Sequence, residues 1–161
     1  MARCLIIGCG CRGQALSREL VARGNAVRAT TRDPAHVGAI EAAGAEAVVG
    51  DPDRVATIAS AFEHVGAAVI LLGSAVGTPD ALAALHGSRL DMLLLRMLDS
   101  TVRGIVYEAV GTVDSSILDA GAERVRAFCE GSRIPYALLD VEAGAWPRAA
   151  ADAIENVLRG G

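Results

Sequence analysis

Residues 4–13, CLIIGCGCRG, join a short apolar run to a loop rich in glycine and cysteine. Gly8, Gly10 and Gly13 match the pattern G-x-G-x-x-G, which is a weak signal unless it ends a strand and opens a helix. Here the run LII precedes the loop, and a helical pattern, GQALSRELVAR, follows at residues 13–23. The stretch therefore predicts the first turn of a βαβ unit that binds a dinucleotide.

Each glycine of this loop has a physical reason to be glycine. Gly8 permits the tight turn, Gly10 has no Cβ to hold the backbone away from a pyrophosphate, and Gly13 lets the helix pack closely on the strand. The N–H groups and dipole at the helix N-terminus would then face the anion. The alternative is a glycine turn that binds no ligand.

Short apolar runs alternate with helical patterns along the whole chain. Nearly continuous apolar runs are expected of parallel strands that are covered on both faces. We therefore predict an α/β fold in one domain, residues 1–161: a Rossmann-type, doubly wound parallel sheet of six strands in the order 3-2-1-4-5-6, with helices on both faces. The strands are expected at residues 3–7, 26–30, 45–49, 67–72, 103–110 and 135–140. Six helices are expected, among them 13–23, one long helix over 79–98, 115–130 and 146–159.

The end of the second strand predicts which dinucleotide binds. An acid there usually holds the ribose 2′-OH of NAD, whereas a basic residue accommodates the 2′-phosphate of NADP. The only acid, Asp33, precedes Pro34 and is better explained as a helix N-cap. Thr31 and Arg32 then occupy the ribose position, so NADP(H) is preferred over NAD(H). The alternative is an exposed arginine that contacts nothing.

Other residues follow the remaining strands at the same edge of the predicted sheet. Asp51 follows the third strand and could reach adenine, or could cap the next helix because it precedes Pro52. Glu108 and Thr112 lie at the end of the fifth strand, where they are eligible by position for proton transfer. The residues expected to contact the cofactor are Gly8, Cys9, Gly10, Cys11, Arg12, Gly13, Thr31, Arg32, Asp51, Leu72, Gly73 and Ser74.

The cysteines and histidines do not form a metal-binding pattern. Cys9 and Cys11 make C-x-C with no second pair at zinc-like spacing, and the three histidines fall on separate elements. A reactive thiol at the helix N-terminus is the alternative, but bound phosphate would oppose it. We therefore expect Cys9 and Cys11 to be small residues of a nucleotide-binding turn, Cys4 and Cys129 to lie in the core, and no metal to bind.

Composition limits the partners. The formal net charge is −4 and all 15 basic residues are arginine, with no basic run of the kind that binds nucleic acid. No window is long and apolar enough to cross a membrane, and four cysteines are too few for a secreted framework, so a cytoplasmic location is expected. The stretch LDMLLLRML (90–98) is apolar on nearly all sides, which indicates either deep burial or a homodimer contact, and we favour the homodimer.

The chain resembles the atypical and extended short-chain dehydrogenase/reductases, the NAD(P)-dependent epimerase/dehydratase-like group. The resemblance lies in LIIGCGCRGQAL (5–16), RELVARGNAVRATTRDP (18–34) and AEAVVGDPDR (45–54). It implies cofactor-binding roles for the loop glycines, Arg32 and Asp51. The glycine spacing departs from the G-x-x-G-x-x-G that is commoner in the family.

Two further departures concern catalysis. The family uses a Tyr-x-x-x-Lys pair, and the sequence contains no lysine. Tyr107 falls inside the fifth strand, where we expect it to pack, and little chain follows the sixth strand to bind substrate. Two functions remain open: an NADP(H)-dependent oxidoreductase acting on an unknown small molecule, or a non-catalytic NADP(H)-binding sensor. A regulatory domain of the kind attached to potassium transporters is less favoured, because that group usually ends the second strand in an acid.

Overall fold

The computed structural model describes residues 2–141 and 145–161, and they form a sheet of six parallel strands. The order is β3-β2-β1-β4-β5-β6, as the alternating pattern predicts. The strands are β1 (Arg3–Ile7), β2 (Ala26–Thr31), β3 (Glu46–Val49), β4 (Ala67–Ile70), β5 (Gly104–Glu108) and β6 (Tyr136–Leu139). Most agree with the expected ranges to within one residue, but β4 and β5 each end two residues earlier than expected.

Helices cover both faces of the sheet. They are α1 (Cys11–Ala22), α2 (Val37–Ala42), α3 (Pro79–Leu85), α4 (Ser88–Leu98), α5 (Ser115–Ser132) and α6 (Trp146–Leu158), with 3-10 segments at Pro34–His36 and Val55–Phe62. Side chains of β1 alternate between the faces, since Cys4 and Ile6 pack with α1, α2 and α6, whereas Leu5 and Ile7 pack with α4, α5 and the second 3-10 segment. The sheet is therefore buried on both sides, which explains why its strands are continuously apolar.

The single long helix expected over 79–98 is wrong, because the structure divides it into α3 and α4. Thr78 caps α3 by accepting from the N–H of Ala81 at 3.2 Å. The chain then turns at Gly87, where a Cβ would lie 2.6 Å from the carbonyl oxygen of Ala83. His86 occupies the end of α3 and points into the protein instead of continuing the helix.

The sequence also predicts a helix in GDPDRVATIASAF (50–62), and the structure forms a 3-10 helix there rather than an α-helix. The Thr57 hydroxyl donates to the carbonyl of Arg54 at 2.7 Å and accepts from the N–H of Asp51 at 2.8 Å. Such short side chain–backbone bonds compete with α-helical pairing. They hold this segment in a tighter turn beside the edge of the sheet.

The described residues lack membrane-spanning helices, metal-ligand clusters and disulfides. None of their helices is both long and apolar enough to cross a membrane. In the same residues, no three His, Cys, Asp or Glu side chains are grouped so that they could hold a metal ion. Cys4 and Cys129 are fully buried, as expected, and all four cysteines are free thiols.

Candidate dinucleotide-binding site

A cleft of about 930 Å³ lies at the carboxyl ends of β1, β2 and β4. In an open parallel sheet this edge, where the strand order reverses, is the usual ligand site. The cleft is lined by Gly8, Cys9, Gly10, Cys11, Arg12, Gly13, Thr31, Arg32, Asp51, Leu72 and Ser74, which are the expected cofactor contacts except Gly73. It is also lined by Thr30, Asp33, Pro34, His36, Gly50, Pro52, Leu71, Ala75, Val76, Leu85 and Glu108.

The loop between β1 and α1 is held tightly against its neighbours. Gly8 has φ +90°, and a Cβ there would lie 2.6 Å from the carbonyl oxygen of Leu71, so only glycine fits. Its N–H donates to the hydroxyl of Thr30 at 3.2 Å, and the N–H of Cys9 donates to the Thr30 carbonyl at 2.9 Å. Both bonds fix the loop to the end of β2.

The residues that follow leave room for an anion. Gly10 is the N-cap of α1, and a Cβ on it would meet nothing within 4 Å, so its side-chain position is open. No side chain caps the helix and no acid lies in its first turn. The first N–H groups of a helix lack intrahelical partners and attract anions. The loop therefore offers N–H groups from which the oxygens of an anion such as a pyrophosphate could accept.

Cys9 and Gly13 pack against each other beneath the loop. A Cβ on Gly13 would lie 2.9 Å from Cys9 Sγ, so the thiol fills the space between helix and strand. Burial raises the pKa of Cys9 to about 11, although the Ser17 hydroxyl lowers it. Cys9 is therefore a protonated packing residue at neutral pH, whereas Cys11 is exposed at the rim, and their contact with a cofactor stays a prediction.

The end of β2 offers a cation to the ligand. Asp33 accepts from the N–H of Ala35 at 2.9 Å and so caps the 3-10 turn, as expected. The Thr31 hydroxyl accepts from the N–H of Asp33 at 3.2 Å, so it is engaged by the turn rather than offered freely to a ribose. Arg32 is exposed and lines the cleft, and it makes no hydrogen bond or ion pair within residues 2–141 and 145–161.

Asp51 takes the capping role, one of the two that the sequence left open. One of its carboxylate oxygens accepts from the N–H of Asp53 at 2.9 Å, so it caps the turn that enters the 3-10 segment. The residue also lines the cleft beside Gly50 and Pro52. Contact with adenine remains a prediction.

Gly73 lies outside the cleft lining because the loops after β4 and β5 are joined there. Its N–H donates to Glu108 Oε1 at 2.9 Å, and its carbonyl accepts from the N–H of Val113 at 2.9 Å. Ser74 stays at the cleft, where its hydroxyl accepts from the N–H of Thr112 at 3.3 Å. Through its two bonds Gly73 joins the loops after β4 and β5 beneath the cleft rather than lining it.

A buried glutamate lies at the inner end of the cleft. Glu108 is 2% exposed, and Arg12 Nη1 lies 3.1 Å from its Oε2. The Arg12 guanidinium carbon is also 4.6 Å from the ring centroid of Trp146. Burial raises the pKa of Glu108, while Arg12 and the Gly73 N–H act against that rise. Sequence reasoning placed Glu108 at this edge but missed its pairing with Arg12, because no local pattern joins α1 to β5.

Below Leu72, two buried polar side chains bond to each other. His86 Nε2 lies 2.9 Å from the Leu72 carbonyl and its Nδ1 lies 2.6 Å from the Tyr107 hydroxyl. A carbonyl can only accept, so Nε2 carries the proton and Nδ1 accepts from Tyr107. Burial lowers the pKa of His86 and raises that of Tyr107, so both are neutral at pH 7. Tyr107 therefore packs inside the sheet, as expected, rather than facing the cleft.

Comparison with solved structures shows the same fold in several proteins. A short-chain dehydrogenase/reductase superfamily protein from Agrobacterium tumefaciens, solved with bound NAD, has a TM-score of 0.70 at 19% identity, over 84% of this chain and 48% of its own. A Bacillus halodurans protein named for NAD-dependent epimerases and dehydratases has a TM-score of 0.70 at 20% identity, over 86% and 69%. UDP-glucose 4-epimerase from Thermotoga maritima gives 0.70 at 12% identity, over 84% and 54%.

The chain spans about half the length of two of these three structures. A search of curated protein sequences finds no significant match. A family model described as NAD(P)H-binding matches residues 8–126, which begin at the first loop glycine and end in α5. The chain therefore belongs to the NAD(P)H-binding family, with the Rossmann fold of short-chain dehydrogenase/reductase and epimerase-like proteins.

Proposed function

We propose that this cleft binds NADP(H) in preference to NAD(H). The observation that carries the proposal is Arg32, an exposed and unpaired guanidinium among the described residues, in the same cleft as the glycine loop. A guanidinium matches the geometry of a phosphate and binds it with charge-assisted hydrogen bonds. The acid that could instead favour NAD, Asp33, already accepts from the N–H of Ala35.

Calorimetric titration with NADPH, NADH, NADP and NAD tests this preference. Replacing Arg32 with alanine should weaken NADP(H) binding about 10- to 100-fold, because a hydrogen bond to a charged group contributes roughly 1.5–3 kcal/mol. Binding of NAD(H) should change little. Arg18→Ala is the matched control, since Arg18 is exposed on α1 and is absent from the cleft lining. Equal losses for NADPH and NADH in Arg32→Ala would contradict the preference.

The proposed activity is reduction of an unknown small molecule by the bound cofactor. Nicotinamide supplies the hydride when bound, and the protein orients it and excludes water. Leu72, Ala75, Val76 and Leu85 give the inner cleft an apolar lining. The family's tyrosine–lysine pair does not operate within this chain, since the sequence has no lysine and Tyr107 is buried. Steady NADPH oxidation with a carbonyl or quinone would support the activity.

The second candidate is a non-catalytic NADP(H) sensor that reports through its own assembly. Met92, Leu95 and Leu98 are exposed on one side of α4, while Leu90, Leu93, Leu94 and Met97 are buried on the other. This apolar stripe supports the homodimer that the sequence favours, with each α4 covered by a second copy. Sedimentation velocity with and without NADPH tests it. A cofactor-dependent change in mass without turnover favours the sensor, and a monomer at every concentration contradicts the homodimer.

The proposal places the chain in a reducing, cytoplasmic setting. All four cysteines are free thiols, which supports such a compartment.

A further inference from the structure

The buried pair of Arg12 and Glu108 has a feature that ordinary packing does not explain. Glu108 Oε1 accepts from Gly73, but Oε2 accepts no hydrogen bond among the described residues. Arg12 Nη1 is close enough for an ion pair at 3.1 Å, yet its N–H is not aligned with that oxygen. An unsatisfied carboxylate oxygen is costly in a buried site. Oε2 therefore has an ion-pair partner but no hydrogen bond among the described residues.

Arg12 is placed so that two partners compete for it. It lies within the first turn of α1, between Gly10 and Gly13, where the family's dinucleotide pyrophosphate is expected. Its side chain is 38% exposed, while that of Glu108 is 3% exposed. A pyrophosphate bound at this helix N-terminus could accept a charge-assisted hydrogen bond from Arg12, which Glu108 Oε2 does not. Arg12 can therefore exchange a poorly aligned partner for a well aligned one.

We propose that Glu108 is the proton carrier of this cleft and that Arg12 moves from Glu108 to the bound pyrophosphate, so that dinucleotide binding is coupled to proton uptake by Glu108. The inference rests on the proposed function and assigns the residue that would complete it. In a carbonyl reduction the hydride goes to carbon, and protonated Glu108 would give its proton to oxygen and become a carboxylate. The apolar lining at Leu72 and Leu85 fits a carbonyl compound or quinone of low polarity.

The charged and polar groups around Glu108 favour its protonation when a dinucleotide binds. Arg12 from α1 is the cation that faces it, and Tyr107 from its own strand is neutral. The N–H of Gly73 donates to it from the loop after β4, and His86 acts only through Tyr107. Departure of Arg12 removes the cation that lowers the pKa of Glu108. Burial then favours the neutral acid, so we expect binding to be accompanied by proton uptake.

Calorimetry in buffers of different ionisation enthalpy measures that uptake directly. NADP is titrated into the whole chain between pH 5.5 and 8, and the dependence of the heat on the buffer gives the protons taken up. The wild type should take up more protons than Glu108→Gln, which keeps an acceptor for the Gly73 N–H. His36 also lines the cleft, and it is present in both proteins. Glu46→Gln is the control, because it removes an ion-paired glutamate that is absent from the cleft lining.

Trp146 is the one tryptophan of the sequence, so its fluorescence reports whether Arg12 moves. ADP-ribose 2′-phosphate, which has the pyrophosphate but no nicotinamide to quench emission, should change the Trp146 signal in the wild type. The change should disappear in Arg12→Met. Glu108→Gln should bind NADP as tightly as the wild type or more tightly, because no ion pair has to break.

The outcomes separate the two proposals. Failure of all four dinucleotides to bind overturns the proposed function and this inference with it. Binding with equal proton uptake in the wild type and Glu108→Gln overturns the inference alone, as does an unchanged Trp146 signal. If Glu108→Gln does not fold, the wild type is compared with Arg12→Met. Equal proton uptake in these two proteins overturns the inference, because protonation of Glu108 would then not depend on Arg12.

Discussion

Cys9 and Gly13 show how closely the glycine loop is fitted. The loop pattern calls for a glycine where the helix approaches the strand, and in this chain the neighbour that approaches it is a cysteine thiol rather than backbone. The thiol is buried and protonated, so its contribution is volume. The two residues are therefore matched in size, and neither should tolerate change without the other.

Replacing Gly13 with alanine should lower the free energy of unfolding by about 1–3 kcal/mol, because the new Cβ overlaps Cys9 Sγ. Cys9→Ala should relieve the overlap, so the double variant should be more stable than the sum of the two single effects predicts. Urea unfolding of the four proteins measures this coupling. Gly131→Ala is the control, since a Cβ there meets nothing within 4 Å. Strict additivity would contradict the fit.

Local sequence predicts the loop residues but not their long-range partners. The positions of the glycines, the capping role of Asp33 and the placement of Cys4 in the core all follow from short patterns. The contact of Arg12 with Glu108 and Trp146 does not, because it depends on how α1, β5 and α6 meet in space. Such contacts are set by tertiary packing, which one strand or helix pattern does not contain.

At the level of elements, His86 explains why one predicted helix became two. The end of α3 delivers His86 into the protein, where it bonds to the Leu72 carbonyl after β4 and to Tyr107 in β5. Gly121 in α5 leaves the room that the Tyr107 hydroxyl occupies. Three elements are thus joined beneath the cleft, and a continuous helix would not allow this arrangement.

The buried histidine should make stability depend on pH. Burial lowers the pKa of His86 below its unfolded value of about 6.5, so the unfolded chain binds more protons and stability falls as pH drops through that range. Glu108 acts with the opposite sign, because its pKa is raised in the fold. The diagnostic comparison is therefore between the wild type and His86→Asn, by urea unfolding from pH 8 to 5. His86→Asn should lose less stability over that range, and equal losses in both would contradict the assignment.

Hydrophobic pattern predicted the strands better than it predicted the helices. Buried parallel strands have a distinctive continuous apolar run, and all six were located. The helical segments between them share one apolar pattern whether they are α-helical, 3-10 or broken. The side chain–backbone bonds of Thr57 favour the 3-10 form of the segment after β3. The tertiary bonds of His86 favour the break between α3 and α4.

At the level of the whole molecule, the strand order determines where the cleft lies. The order β3-β2-β1-β4-β5-β6 places the loop after β1 at the point where the strand order reverses, and the cleft opens there. The NAD(P)H-binding match over residues 8–126 covers this region. The sequence predicted the sheet, the edge at which the cleft lies and half of the residues that line it, because the alternation of strands and helices brings the strand ends to one edge. The apolar pattern of residues 90–98 also predicted an outer apolar side on this helix, and Met92, Leu95 and Leu98 are exposed there.

The most direct test is to identify the residues that a bound dinucleotide contacts. Titration of the isotope-labelled chain with NADP, followed by amide chemical shifts, should perturb residues 8–13 together with Arg32, Asp51 and Ser74. The exposed face of α4 should stay unchanged apart from any effect of assembly. Shifts confined to the cleft lining would confirm that the glycine loop and the end of β2 form one site. No shifts at saturating NADP, or shifts that leave residues 8–13 unaffected, would contradict the central claim.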